Sequence, residues 1–579
     1  MNQMSSKKAA DIYQTSEHKK SLKDKTYPQY HLRAPSGWVN DPCGLFYFNS
    51  SFHVFMQSNP WGKNWGDMSW SHVVSAPNNK DKFKWFYPVS DNSFKTTVLI
   101  PSLDDRAADR NGIFTGCIKN MPYRDSNDCI NYYPTAFYSA VWGSGESTQE
   151  TVCIARALDA NKVDDNSKLV DPHLTNWTKY SSNNNEDVPH VVLHQPEELN
   201  LVSFRDPFIF NLPDDDNYYM LMSAGRIDEN NNPKGVALCF KNEGHDITQG
   251  WERANSGNKF FFEGNVCVKD TVTRGGNFEC VVMYRLTDHI GAMNNTPYIL
   301  IFAQDGSADD DYGRSLYYIL GDIIKTQSSI HFEPLEYFKN NDGSAIYRLL
   351  DLSPDFIYYA ANIMPIDSEK RNILMAWLNI ESANPEGSNW TGALAIPRFL
   401  FVYKYYDNRW MLGQETALID SLKNNVTLQE TYSHSDQREY LVEKVIGRKY
   451  NAKVTFQGDK LCTKEFGFRV IATDSSDINI NITNGYLSVD DRYSCKLDID
   501  DAIDELCLDV YLDGSSLEIF MSKKISNGSI VGFATYSSQL KTLYTEVDEK
   551  VFVYANKEII SNIKIYNMQS CWISAPEES

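Results

Sequence analysis

Among the eleven cysteines of this 579-residue chain there is no Cys-x-x-Cys pair and no Cys/His cluster, so no zinc site or redox dithiol motif is written into it. An odd number of scattered cysteines gives no disulfide framework either, and reduced structural thiols are the expected state. Long apolar runs are missing as well. No window offers the roughly 18 consecutive apolar residues of a membrane span. The opening MNQMSSKKAADIYQTSEHKK lacks the apolar run of a secretory signal. The expectation is a soluble, cytoplasmic protein with no membrane partner. Asn-x-Ser/Thr triplets, such as those at Asn176 and Asn389, fit secretion instead if an export signal has been removed. Positive charge is in deficit: 55 Lys and Arg against 76 Asp and Glu leave a net charge of −21, spread along the chain, which argues against a nucleic-acid partner. The GSG at 143–145 lacks the further glycine and the strand-to-helix setting of a dinucleotide fingerprint, so no cofactor is implied.

What the chain does have is apolar and aromatic material, 42% and 13% of its residues, enough for two cores and hence two domains. Residues 1–26 are polar and Lys-rich and read as a flexible N-terminal tail. From there to residue 405 the recurring unit is a short apolar or aromatic run bounded by Asn, Asp, Gly and Pro, as in LFYF, FHVFMQ, YYMLMSAG, CVVMYRL and NILMAWLN. In FHVFMQ, Phe52, Val54 and Met56 fall on one face and His53, Phe55 and Gln57 on the other, the period of a strand. Helical periodicity is scarce. The fold class is therefore all-β, and about 380 residues of short strands exceed one sandwich but suit a propeller, although no exact repeat is present. A polar linker is expected over 406–428. Strands resume in KVTFQ, FGFRVIA and LCLDVYLDGSSLEIFM, so 429–579 reads as a separate β-sandwich.

Three short acidic motifs carry candidate chemistry: Trp38-Val39-Asn40-Asp41-Pro42, Phe204-Arg205-Asp206-Pro207, and a glutamate within FFFEGNVCVKDTVTRGGNFECVVMYRL. Taken alone, Arg-Asp-Pro is a turn with a surface ion pair. Taken in order, WVNDPCG, QSNPWG, WGDMSW, FTGC and FRDP resemble glycoside hydrolase family 32, the β-fructofuranosidases, and the Cys43 form is similar to its fungal members. The resemblance continues through DFIYYAANIMPIDSEKRNILMAWLN, NWTGALAIPRFLF and DGSSLEIF, about residues 28 to 535.

The resemblance implies a five-bladed β-propeller with the active site at the wide end of its channel, followed by a β-sandwich that supports stability and, in some members, a homodimer. It implies Asp41 as nucleophile and Asp206 as a transition-state stabiliser that binds fructose hydroxyls. A retaining enzyme also needs a carboxylic acid near the nucleophile. Glu263 in FFFEGNV and Glu279 in NFECVV compete for that role. The order of short strand, turn and apolar strand fits when counted from Glu263, and Phe262-Glu263-Gly264-Asn265 resembles the fungal pattern. Glu263 is therefore the expected acid/base, and Glu279 a structural residue at the start of the apolar strand.

Asn40, Gln57, Trp65, Phe114, Thr115 and Arg205 are carried over as fructose-subsite residues, with Trp390 at the rim. Trp38, Trp70 and His72 read as packing. Phe114-Thr115-Gly116-Cys117 departs from the commoner Phe-Ser-Gly-Ser but keeps the hydroxyl, and Ser71 stands where glycine is more usual. The alternating acidic and apolar residues of Asp513–Phe520 read as a hairpin with structural acids. The expected function is a retaining β-fructofuranosidase acting on sucrose and short fructooligosaccharides, with transfer to sugar at high sucrose. The alternatives are an inverting propeller glycosidase on arabinosides or xylosides, and a non-catalytic sugar-binding propeller.

Overall fold

The computed structural model describes residues 3–77, 83–124, 129–143, 145–181, 185, 187–213, 215–244, 246–257, 259–265, 277–292, 294–305, 314–354, 356–366, 371–382, 386–405, 407–435, 437–446, 449–471, 477–490, 493–525, 527–540 and 548–575. Nearly every element in it is a strand. Among the described residues no helix is long and apolar enough to cross a membrane.

The first element corrects the expected flexible tail. Gln3–Ser21 is a helix, and Asp11, Gln14, Glu17 and Ser21 form its buried stripe. Gln14 donates to Ser36 O at 3.2 Å and accepts from Thr96 Oγ1 at 2.8 Å, while Asp11 accepts from Thr97 N at 3.0 Å. A helix that docks through polar side chains leaves no apolar periodicity to find.

Five four-stranded antiparallel meanders follow, starting at Gly37–Phe48, Gly112–Arg124, Leu201–Phe210, Asn277–Arg285 and Tyr358–Ile366. These five first strands touch one another in chain order, and the fifth touches the first, so they form a closed ring. A parallel pairing of Gly37 and Trp38 with Trp390 and Thr391 ties the first meander to the fifth. The strand Ser51–Asn59 shows how the units pack. It is buried on both faces: Phe52, Val54 and Met56 enter one core cluster, and Phe55 enters another. The period-two pattern thus separates two buried faces, each against a neighbouring layer.

Each first strand breaks its register with its partner, in the N-terminal half of four of them and mid-strand in the third. The breaks fall between Val39 and Pro42, Ile113 and Gly116, Arg205 and Phe208, Glu279 and Val282, and Tyr359 and Ala361. An irregularity of this kind re-aims side chains locally. Five at one end of a ring turn the residues there toward its axis.

The fifth meander runs on to Trp410–Thr416, and the next strand begins at Lys423, so most of the expected linker 406–428 is structured. Beyond it lie two six-stranded sheets with one shared apolar cluster, which includes Val454, Phe468, Leu508 and Ile519. Asp513 pairs with Ser516 across a two-residue turn, as the sequence predicts. Gly514 there has φ of +62°, and a Cβ on it would lie 2.3 Å from Thr26 O. The acids of this hairpin are buried and structural. His31 bridges Asp513 Oδ2 and Glu518 Oε1, each at 2.8 Å, and Arg398 pairs with Asp351 Oδ2 at 2.7 Å and reaches Glu518 Oε2 at 3.5 Å. Charges buried in pairs join the N-terminal segment and the fifth meander to the C-terminal sheets.

Candidate active site

The register breaks bring three carboxylates to one cavity of about 430 Å³, lined by Asp41, Asp206 and Glu279 together with Asn40, Gln57, Trp65, Phe114 and Arg205. They arrive on the first, third and fourth of the ring strands.

Asp41 sits in a cage of donors. Thr115 Oγ1 donates to its Oδ2 at 2.5 Å, Gln57 Nε2 to the same oxygen at 3.3 Å, and Asn40 Nδ2 to Oδ1 at 3.0 Å. Gln57 also bonds Thr115, and Trp38 Nε1 donates to Asn40 Oδ1 at 2.9 Å. Trp38, expected to be packing alone, therefore fixes the amide that orients Asp41, besides packing on Trp377 with ring centroids 5.6 Å apart.

Asp206 takes a left-handed backbone conformation, φ +60°, and the next strand does the same at Cys280, φ +49°. Non-glycine residues rarely adopt it and hold it where the surroundings impose it. Here Asp206 N donates to Ser139 Oγ, and Cys280 N donates to Asp206 Oδ2, both at 2.8 Å. Arg205 forks between Glu150, with Nη1 to Oε1 at 3.0 Å, and Glu279, bonded through Nη2. Tyr359 closes the other side of Glu279, donating to Oε2 at 2.6 Å.

Three carboxylates facing one cavity repel one another's charge. Burial, followed by the charges of Glu279 and Asp41, pushes Asp206 up to about 8, even though Arg205 pulls the other way. Burial also raises Asp41, with Glu279 adding to the effect. Burial pushes Glu279 in the same direction, but the Arg205 guanidinium and the Tyr359 hydroxyl outweigh it and hold it below the ordinary range. Of the three, Asp206 is the carboxyl whose ionised form is most disfavoured.

Two expected residues are elsewhere. Glu263 lies on Phe262–Asn265, which pairs with the third strand of the third meander, on the far side from the ring. Its Oε1 accepts from Arg226 Nη2 at 2.7 Å. The expected spacing assumed a strand between the glutamate and the apolar run. Instead the glutamate that reaches the cavity begins the apolar strand itself, at the register break. Residues 266–276, on which that spacing rested, lie outside the described residues. Trp390 is not at the rim: it is buried, donates to Asp24 Oδ2 at 2.8 Å and packs on Tyr27. Trp65 does stand at the mouth, 59% exposed, edge-on to Phe114.

The sequence reading missed Glu150, Arg314, Phe356, Tyr359 and Trp377, all of which line the cavity. Tyr359 and Trp377 fall inside DFIYYAANIMPIDSEKRNILMAWLN and could have been nominated as aromatic residues of that motif. Glu150 has no motif around it.

Comparison with known proteins bears on the family and the fold. The Glycosyl hydrolases family 32 N-terminal domain matches residues 31–412. Sucrose:sucrose 1-fructosyltransferase of Festuca arundinacea is 24% identical over 69% of this chain and 51% of its own length, so the chain spans about half of that relative. Sucrose-6-phosphate hydrolase of Zymomonas mobilis is 21% identical over 96% of this chain and 95% of its own. Among solved structures, fructan 1-exohydrolase IIa from Cichorium intybus in complex with 1-kestose superposes with a TM-score of 0.68 at 17% identity, covering 95% of this chain and 99% of that one. Exo-inulinase from Aspergillus awamori gives 0.67 at 18% identity, with coverages of 95% and 99%. These likenesses carry the fold, and the domain match over residues 31–412 carries the assignment: the chain belongs to glycosyl hydrolase family 32.

Proposed function

We propose that this chain is a retaining β-fructofuranosidase that cleaves sucrose and short fructooligosaccharides through a covalent fructosyl-enzyme. The observation that carries the reading is the convergence of Asp41, Asp206 and Glu279 on one cavity, with Glu279 in the place the sequence reading gave to Glu263. The architecture reads as a five-bladed β-propeller followed by a β-sandwich. The closed ring of five first strands supports the first part, and the two sheets over a common core support the second.

The residues divide the work. Asp41, held by Thr115, Asn40 and Gln57, attacks the anomeric carbon of the fructosyl unit. Glu279 gives a proton to the glycosidic oxygen, and glucose or a shorter fructan leaves. Asp206 binds fructose hydroxyls. When these donate to its carboxyl they favour the ionised form, and the proton it held in the free protein passes to Glu279. In the second half, Glu279 takes a proton from water, the water oxygen attacks the anomeric carbon, and Asp41 is released. A sugar hydroxyl in place of water gives transfer. Trp65 at the mouth offers a flat face to the leaving or accepting sugar.

The test is twofold. Proton NMR of the first-formed fructose reads the anomer, where retention is expected and inversion overturns the mechanism. Mass spectrometry of peptic peptides from acid-quenched turnover is expected to find a fructosyl adduct on the Asp41 peptide. An adduct on any other carboxylate contradicts the assignment.

A further inference from the structure

The register breaks beside Asp41 and Thr115, which bonds it, also pull nearby backbone carbonyls out of a regular ladder. Those of Pro42 and Gly116, one residue past Asp41 and Thr115, both accept from a single side chain. Asn362 Nδ2 donates to Pro42 O at 3.1 Å and to Gly116 O at 2.9 Å, and its own Oδ1 accepts from Ile363 N at 2.8 Å. Asn362 is buried on the fifth ring strand, so one amide joins the first, second and fifth ring strands directly behind the nucleophile. Only an amide with its NH₂ toward the two carbonyls satisfies all three contacts, which fixes its orientation.

The space behind this amide is not filled by packing. A second cavity of about 700 Å³ occupies the far end of the ring, and Asn362, Cys117, Ile118, Phe208 and Met283 line it. Side chains that face a cavity lack packing partners on that side. We infer that Asn362 is a positioning residue for the nucleophile: its amide clamps the backbone at Pro42 and Gly116 and thereby sets the geometry of Asp41 and of the Thr115 hydroxyl that bonds it. The inference rests on the proposed β-fructofuranosidase reading. It adds a residue that touches neither sugar nor reacting atom. A misplacement of about 1 Å at a reacting group lowers a rate about 100-fold, whereas ground-state sugar contacts at Trp65 and Asp206 stay in place. The effect should therefore fall on the chemical step and leave substrate affinity alone.

The experiment compares wild type, Asn362→Ala and the isosteric Asn362→Asp, which sets carboxylate oxygens against the two carbonyls. The readouts are KM for sucrose and the single-turnover rate constant with enzyme in saturating excess, which does not depend on the fraction of protein that is folded. Thermal melts accompany both. The expected result is a single-turnover rate lower by about 10- to 100-fold in each variant, with Asn362→Asp the slower and KM within about twofold of wild type. An unchanged single-turnover rate in either variant overturns the inference, as does a loss expressed only in KM. A wild type that does not cleave sucrose overturns the functional reading and this inference with it. Turnover in the wild type with unaffected Asn362 variants overturns the inference alone.

Discussion

The Tyr359 hydroxyl donates to Glu279 Oε2 at 2.6 Å, and the Arg205 guanidinium holds the same carboxylate from its other side. Both contacts favour the ionised carboxylate, so the group proposed to act as the acid is kept charged until sugar arrives. Removing one contact makes Glu279 easier to protonate. In Tyr359→Phe the alkaline limb of the kcat/KM profile should move up by about one pH unit, the scale of one hydrogen bond to a charged group. An unmoved limb would mean that Glu279 does not share the cluster's proton, whose loss near pH 8 sets that limb.

The wild-type profile should be bell-shaped. Asp206 is pushed up to about 8, so the cluster's proton is present below that value and lost above it. Activity that needs this proton falls as pH rises through about 8. Asp41 must be ionised to attack, and its pKa is raised by burial first and Glu279 second. The acid limb should therefore lie above the ordinary aspartate range. Steady-state rates on sucrose between pH 4 and 10 check both limbs.

His31 makes stability fall in alkali. Burial opposes its charge, but the bonds to Asp513 and Glu518 outweigh burial and raise it from 6.5 to about 9. Its contribution is complete below pH 6.5 and disappears as pH rises through about 9. That shift corresponds to a contribution on the order of 3 kcal/mol. His31→Gln should lower the melting temperature clearly at pH 6, and the difference from wild type should narrow above pH 9. A constant difference would show that the imidazole charge is not involved.

Gln14 tests whether the N-terminal helix is part of the fold. Its side chain satisfies Ser36 O and the Thr96 hydroxyl in a buried setting. Gln14→Ala strands both groups and should cost about 1–3 kcal/mol in denaturant unfolding. No change would detach the helix from the stability of the strand ring it docks on.

The sequence made the all-β class, the strand period of Ser51–Asn59, the hairpin at Gly514 and two of the three clustered carboxylates legible, because these depend on local pattern or on a contiguous motif. It did not make the docked helix legible, because that helix buries Asp11, Gln14 and Glu17 instead of an apolar stripe. The order of short strand, turn and apolar strand favours Glu263 over Glu279, and that linear order does not reveal how Glu279 is aimed. In a regular strand its neighbours Phe278 and Cys280 would alternate into the core with it pointing outward, and only the register break turns it to the axis. Glu150 and Tyr359 reach the cavity from separate meanders, and no linear spacing encodes that meeting.

The most direct measurement is sucrose turnover, with glucose, fructose and trisaccharide resolved, for wild type, Glu279→Gln and Glu263→Gln. Glu263 is part-exposed and paired with Arg226, an arrangement worth little to stability. The account predicts that Glu279→Gln loses at least about 1,000-fold in kcat while Glu263→Gln stays within about twofold of wild type. A dead Glu263→Gln beside an active Glu279→Gln would contradict it.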